Sequence, residues 1–247
     1  MIIYTIFVLV LGALAGAAVN YLADVLPYTR RLSAPICLNC DHRYSLREYL
    51  FSFRCPECRS LPPLRNFLVV VGMMLISFLT AWLQIDGLSY WVALPLFMFF
   101  ALIVAVDMEH KVVLNETSIF GAIFMAILGI SMNGVWMTLL GGIAGYAAML
   151  LLYYGGILFT RVISRIRHQE IDEVALGFGD VNVAGFLGLL VGWSAILQTL
   201  LIAILLGGVI SLLVILIMVL VRRYHAFTAI PYAPFLILAA TIVLFIR

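Results

Sequence analysis

Asp107 and Asp180 are the residues of this chain best placed to do chemistry, because each sits at the edge of an apolar run that otherwise excludes charge. Asp107 closes Ala101-Leu-Ile-Val-Ala-Val-Asp107, and Asp180 opens a run within Gly177-Phe-Gly-Asp180-Val. A carboxylate beside lipid is expensive, so it normally faces a cavity or a partner and marks a functional pathway. If two such groups come within hydrogen-bonding distance they cannot both ionise easily, and a shared proton leaves one acid and one base. Such a pair can activate a water against an amide carbonyl and then protonate the leaving nitrogen. That is aspartyl protease chemistry. No Gly-x-Ser-x-Gly offers a serine nucleophile in its place.

The second group is a set of cysteines. All four lie in one polar segment, as Cys37-Leu-Asn-Cys40 and Cys55-Pro-Glu-Cys58, with 14 residues between the pairs. Two Cys-x-x-Cys turns suit tetrahedral zinc, each turn giving two thiolates. The gap is slightly shorter than the usual ribbon spacing of roughly 15–20. Disulfides are the rival reading, and the reducing cytoplasm, to which charge assigns this loop, argues against them. A redox-sensitive or metal-free loop is the other alternative. Four thiolates leave no open position for water, so the expected role is structural: holding together a subdomain of roughly 40 residues, too small for a core of its own.

The elements that must position these groups are membrane helices. At 65% hydrophobic and 11% charged, the 247 residues lie far outside soluble composition, where about a quarter of residues are charged. Spans of roughly 20 apolar residues fit at eight places: about 2–23, 66–84, 88–107, 117–132, 135–159, 180–194, 197–221 and 230–246. The sixth is the shortest. The first lacks a basic start and runs on into Asn20 and Asp24, so it reads as a retained helix rather than a signal peptide. With residues 24–65 placed in the cytoplasm, thirteen of the 14 basic residues fall on that side: Arg30, Arg31, Arg43, Arg47, Arg54, Arg59, Arg65, Lys111, Arg161, Arg165, Arg167, Arg222 and Arg223. Only Arg247 falls outside. This segregation places both termini outside and Asp107 and Asp180 on the cytoplasmic side. The expected fold is an all-α polytopic membrane protein of about eight transmembrane helices, with a cytoplasmic four-cysteine zinc-binding subdomain between the first two. Its domains are expected at 1–26 (first helix), 27–65 (zinc loop) and 66–247 (aspartyl protease).

Smaller features fit this frame. Gly177 and Gly179 break the start of the sixth span and leave room for a substrate backbone to approach, while helix-terminal amides favour the Asp180 carboxylate. Glu109, Glu116, Glu170, Asp172 and Glu173 could attract a basic substrate segment, although solvation is the plainer role for juxtamembrane acids. Asp24 reads as interfacial, with a third acid near the pair as the alternative, and His110 and His168 as turn residues. Gly141, Gly142, Gly145, Gly155, Gly156, Gly207 and Gly208 read as close helix-packing positions. Tyr90, Trp91, Trp136 and Trp193 fit an outer aromatic belt.

With these motifs in place, the chain resembles the type IV prepilin peptidases, polytopic Gly-x-Gly-Asp aspartic proteases of bacterial membranes. Gly12 to Pro27, with Asn20, is similar to the family's N-terminal glycine–asparagine–leucine–proline segment. The cysteine loop, Asp107, Gly177 to Asp180, and Ile230-Pro231-Tyr232-Ala233-Pro234-Phe235 follow in the family's order. The resemblance implies that Asp107 and Asp180 are catalytic and that the substrates are prepilins or pseudopilins of type IV pili or type II secretion. Cleavage would remove a basic leader after glycine at the cytoplasmic face of the bacterial cytoplasmic membrane. Partners would be these substrates and the lipid bilayer, with no nucleic acid. Many members also N-methylate the new terminus with S-adenosylmethionine, and the sequence carries no independent sign of a methyl-donor site. Three departures stand out: Val113-Leu114-Asn115 where Ile-Pro-Asp is common, Asn182 in place of a lysine, and Asp24-Val25 in place of Tyr-Arg.

Two rivals belong to other classes. Another Gly-x-Gly-Asp protease would cut within a helix, and the cysteine loop and proline–phenylalanine ending count against it. A proton- or cation-coupled transporter would place acids near the midplane and show inverted repeats; a catalytically silent relative belongs with it.

Overall fold

The computed structural model describes residues 2–37, 39–40, 42–45, 48–49, 54–61, 63–83, 85, 87–167, 177–221 and 231–246. Arg47, His168, Glu170, Asp172, Glu173, Arg222, Arg223, Ile230 and Arg247 lie outside the described residues. Among the described residues are eight α-helices: α1 (Ile2–Thr29), α2 (Leu64–Trp82), α3 (Tyr90–His110), α4 (Asn115–Asn133), α5 (Val135–Arg167), α6 (Phe178–Val191), α7 (Ala195–Leu220) and α8 (Ala233–Ile246). Six are long and apolar enough to cross a membrane; α6 and α8 are shorter. The expected all-helical, polytopic architecture is therefore present. Two helices outrun their apolar stretches. α1 continues from residue 23 to Thr29, carrying Pro27 in its last turn, and α5 continues from 159 to Arg167. Backbone hydrogen bonding persists beyond the point where lipid burial stops, so hydropathy underestimates both ends.

The chain divides after His110 into two units, Met1–His110 and Lys111–Arg247. In the first, α1 packs closely on α2. A Cβ on Gly12 would lie 2.8 Å from the Met73 carbonyl oxygen, and one on Gly16 would lie 2.7 Å from the Val70 Cα. Asn20 is buried and donates Nδ2 to the Asn66 carbonyl at 2.9 Å. At the other end of the pair, the Ser77 hydroxyl bonds the Val8 carbonyl and the Tyr90 hydroxyl, each at 2.8 Å. The glycine–asparagine segment is thus the seam on which α1 and α2 meet. Val19 and Ala23 of α1 complete a core with Leu102, Ala105 and Val106 of α3.

The second unit is built around α6. Ten of its 14 residues are buried, among them Val183, Ala184, Phe186, Leu187 and Leu190. At about 21 Å it is shorter than the hydrocarbon core. Its small residues admit α5 to backbone contact: a Cβ on Gly141 would collide with the Gly188 carbonyl, and one on Gly145 with the Ala184 carbonyl. A Cβ on Gly129 of α4 would likewise collide with the Leu189 carbonyl. Gly142 and Gly207 also pack closely, whereas Gly155 and Gly208, expected to do the same, face open space. Asn133 at the end of α4 donates to the Leu190 carbonyl at 2.8 Å, and Val113 before α4 meets Gly179 near the start of α6, so the two helices run parallel. α5 runs antiparallel to them, placing Gly145 against Ala184 and Gly141 against Gly188.

Candidate active site

Asp107 lies in the last full turn of α3, 5% exposed, in the first unit. The helix ends three residues later, and Lys111 takes a left-handed φ of 53° that turns the chain away.

Asp180 is 6% exposed and occupies the third position of α6. Gly177 is the N-cap, extended at φ −77°. The Asp180 amide donates to the Gly177 carbonyl at 3.1 Å, and the Asp180 Oδ2 accepts from the Gly177 amide at 3.2 Å. The carboxylate therefore caps its own helix, where free amides and the helix dipole favour negative charge. Gly179 is required by proximity: a Cβ there would lie 2.8 Å from the Val113 Cβ and 2.9 Å from its Cγ2. The loop that follows α3 thus rests directly on the turn that presents Asp180. Tyr232, one residue before α8, lies within electrostatic reach of Asp180 and packs over Gly207. Sequence reasoning passed over this tyrosine as part of the proline–phenylalanine motif.

Glu109, two residues after Asp107 in α3, is not solvated singly. Arg65, at the start of α2 and only 12% exposed, pairs with Asp24 of α1 and Glu109 of α3. The second Asp24 oxygen accepts from the Tyr49 hydroxyl. Asp24 is thus part of an ion-pair network, in which it shares the single Arg65 charge with Glu109. His110 packs edge-on against Tyr28 with ring centroids 5.4 Å apart, in keeping with a helix-end role.

The four cysteines converge. Their sulfurs all lie within 4.8 Å of one another, with Cys37–Cys58 at 3.7 Å and Cys40–Cys55 at 3.6 Å. A tetrahedron with metal–sulfur bonds of about 2.3 Å has edges of about 3.8 Å, so the cluster has the dimensions of a metal site. All four are free thiols rather than disulfides. Two tight turns build it: the Cys37 amide bonds the His42 carbonyl at 2.8 Å, and the Cys55 amide bonds the Ser60 carbonyl at 3.1 Å. The Asn39 amide holds the Cys37 thiol down at about 5, against the cost of burial. For Cys40 the His42 amide favours the thiolate, but burial and the sulfurs of Cys58, Cys55 and Cys37 outweigh it and push the group up to about 12. The cluster favours ionisation unevenly, as crowded thiolates must until a cation neutralises them.

The family model of the type IV leader peptidase family matches residues 94–212, a stretch that contains both aspartates. Among curated proteins, the chain is 27% identical over 222 residues to a prepilin leader peptidase/N-methyltransferase of Pseudomonas putida, covering 85% of this chain and 71% of that protein. It is 25% identical over 231 residues to the protein of that description from Aeromonas hydrophila, covering 90% and 74%. The corresponding figures for the one from Stutzerimonas stutzeri are 26% over 243 residues, 93% and 74%. No solved structure matches the chain. These similarities run along nearly the whole chain, and the stretch that is similar to the type IV leader peptidase family contains both acids.

Proposed function

We propose that the chain is a membrane aspartic endopeptidase that removes the basic leader from type IV prepilins or pseudopilins after glycine, with Asp107 and Asp180 as its catalytic pair. The observation that carries this reading is the seat of Val113 on Gly179. Val113 follows Asp107 by six residues and Gly179 immediately precedes Asp180, so the two acids flank one contact along the chain. In the proposed reaction one carboxylate takes a proton from water as it attacks the scissile carbonyl. The other, protonated, supplies a proton to the departing amide nitrogen.

The setting is the cytoplasmic face of the bacterial cytoplasmic membrane, with both termini outside. Cys37, Cys40, Cys55 and Cys58 would hold a structural zinc ion, which cross-links the loop when bound. The test is cleavage in proteoliposomes of a prepilin with a basic leader, a glycine and an apolar helix, by wild type, Asp107→Asn and Asp180→Asn. Cleavage after glycine by wild type alone supports the pair, whereas activity in either variant removes that residue from the chemistry. Labelled S-adenosylmethionine in the same reaction tests whether the N-methylation named in the relatives extends to this chain.

A further inference from the structure

Arg65 stands where three helices and the cysteine loop meet. Its guanidinium donates to Asp24 of α1 and to Glu109 of α3. Its Nε and Nη2 also reach the Asn66 Oδ1, at 3.2 and 2.9 Å. Asp24 in turn accepts from Tyr49, which packs edge-on against Tyr21 of α1 and Tyr44 of the cysteine loop. Two carboxylates thus share one nearly enclosed cation. A planar fork with several N–H donors can hold two such partners in fixed directions, which a lysine cannot.

The geometry matters because of what lies next to Glu109. The last turn of a helix lacks its full set of hydrogen bonds and frays, and Asp107 sits in that turn of α3, two residues before Glu109. The Glu109–Arg65 pair ties the turn to α2, and the Arg65–Asp24 pair ties α2 to α1. We propose that Arg65 is a positioning residue for Asp107, holding the terminal turn of α3 through Glu109 while Asp24 and Tyr49 fix the guanidinium from behind. The proposal rests on the peptidase reading above. It also gives Glu109 a task other than attracting a basic leader.

The test compares the full chain in proteoliposomes as wild type, Arg65→Lys, Arg65→Gln, Glu109→Gln and the Arg65→Gln/Glu109→Gln double variant. Each is assayed against a basic leader and a leader with its basic residues neutralised. A catalytic group displaced by about 1 Å can lose on the order of 100-fold in rate. Arg65→Gln should therefore lower kcat about 10- to 100-fold on both leaders with KM changed less than about threefold. Arg65→Lys should recover part of the loss, and the double variant should be no slower than Arg65→Gln alone. If Arg65→Gln misfolds by thermal unfolding, Arg65→Lys and Glu109→Gln carry the comparison, each expected to lower kcat rather than raise KM. The proposal is overturned if these variants keep wild-type kcat, or if Glu109→Gln raises KM for the basic leader alone, which would make Glu109 a leader-binding acid. A wild type that cleaves no prepilin overturns the peptidase reading itself, a result distinct from an active wild type with an active Arg65→Gln.

Discussion

Gly179→Ala puts the contact at the heart of the peptidase reading under direct strain. The added Cβ would lie 2.8 Å from the Val113 Cβ, 2.9 Å from its Cγ2 and 3.3 Å from its amide nitrogen. Carbon atoms prefer about 3.5–4.0 Å, so roughly 0.6–1.2 Å must be found. A Cβ cannot rotate away as a side-chain tip can, so the loop after α3 must move relative to the turn bearing Asp180. Overpacking of this kind costs about 1–3 kcal/mol, from which the helix preference of alanine over glycine recovers about 0.5–1 kcal/mol. The protein should therefore stay folded. Catalysis should suffer more, because a misplacement of about 1 Å can cost on the order of 100-fold, about 2.7 kcal/mol of barrier. The assay is kcat on a prepilin in proteoliposomes, with the thermal midpoint measured on the same samples. A second substitution identifies the colliding atom. Val113→Ala retains the Cβ and should rescue little, whereas Val113→Gly removes both close carbons and should recover about tenfold or more. The reasoning is refuted if Gly179→Ala keeps kcat within about threefold of wild type, or if Val113→Ala rescues as well as Val113→Gly.

Other perturbations probe the frame. Gly141→Ala and Gly188→Ala drive a methyl into facing backbone and should each lower stability by about 1–3 kcal/mol, while Gly155→Ala and Gly208→Ala, which meet open space, should be neutral or slightly stabilising in thermal unfolding. Asp180→Ala removes the acceptor for the Gly177 amide and should cost about 1 kcal/mol beyond Asp180→Asn, which keeps an oxygen there. Elemental analysis should find about one zinc per chain, lost in Cys55→Ser. Chelation should expose the loop to proteolysis and leave the helical circular dichroism unchanged. Burial opposes the charge on His42, but the hydrogen bond and charge of Glu57 prevail and raise it above its ordinary 6.5. A raised folded value means that this pair stabilises fully below pH 6.5 and loses its contribution as pH climbs through the folded value. The thermal midpoint should fall over that climb, and Glu57→Gln should flatten the fall.

The candidate groups were legible because lipid makes polar residues conspicuous. Asp107, Asp180 and the paired cysteines are polar punctuation in apolar or patterned sequence, and local spacing is enough to find them. The setting of α6 was not legible. Beyond Phe178 its apolar residues are buried or half-buried by protein, and hydropathy registers aversion to water without separating a lipid neighbour from a protein one. Arg65 was visible only as one of many basic residues that charge segregation assigns to one face of the membrane. Its partners lie 41 and 44 positions away, beyond any local spacing rule. A faint signal did exist: Asp24 and Glu109 close two spans on the side where Arg65 opens another. Of the glycines, Gly129 and Gly188 were missed because one small residue in an apolar helix looks like any other until its neighbour is known.

The shortness of α6 has a consequence for how the protein is made. Beyond Phe178 no residue of this helix is exposed, and its length of about 21 Å falls short of the bilayer's hydrocarbon. Such a segment gains little from lipid on its own, so membrane insertion cannot be led by it. Its flanking helices α5 and α7 are long enough to settle first, and α6 is then drawn in when α4 and α5 offer it their glycine faces. Asp180 travels with α6. The carboxylate is therefore buried only once α4 and α5 have closed on this helix, so its setting is a product of helix packing and not of insertion.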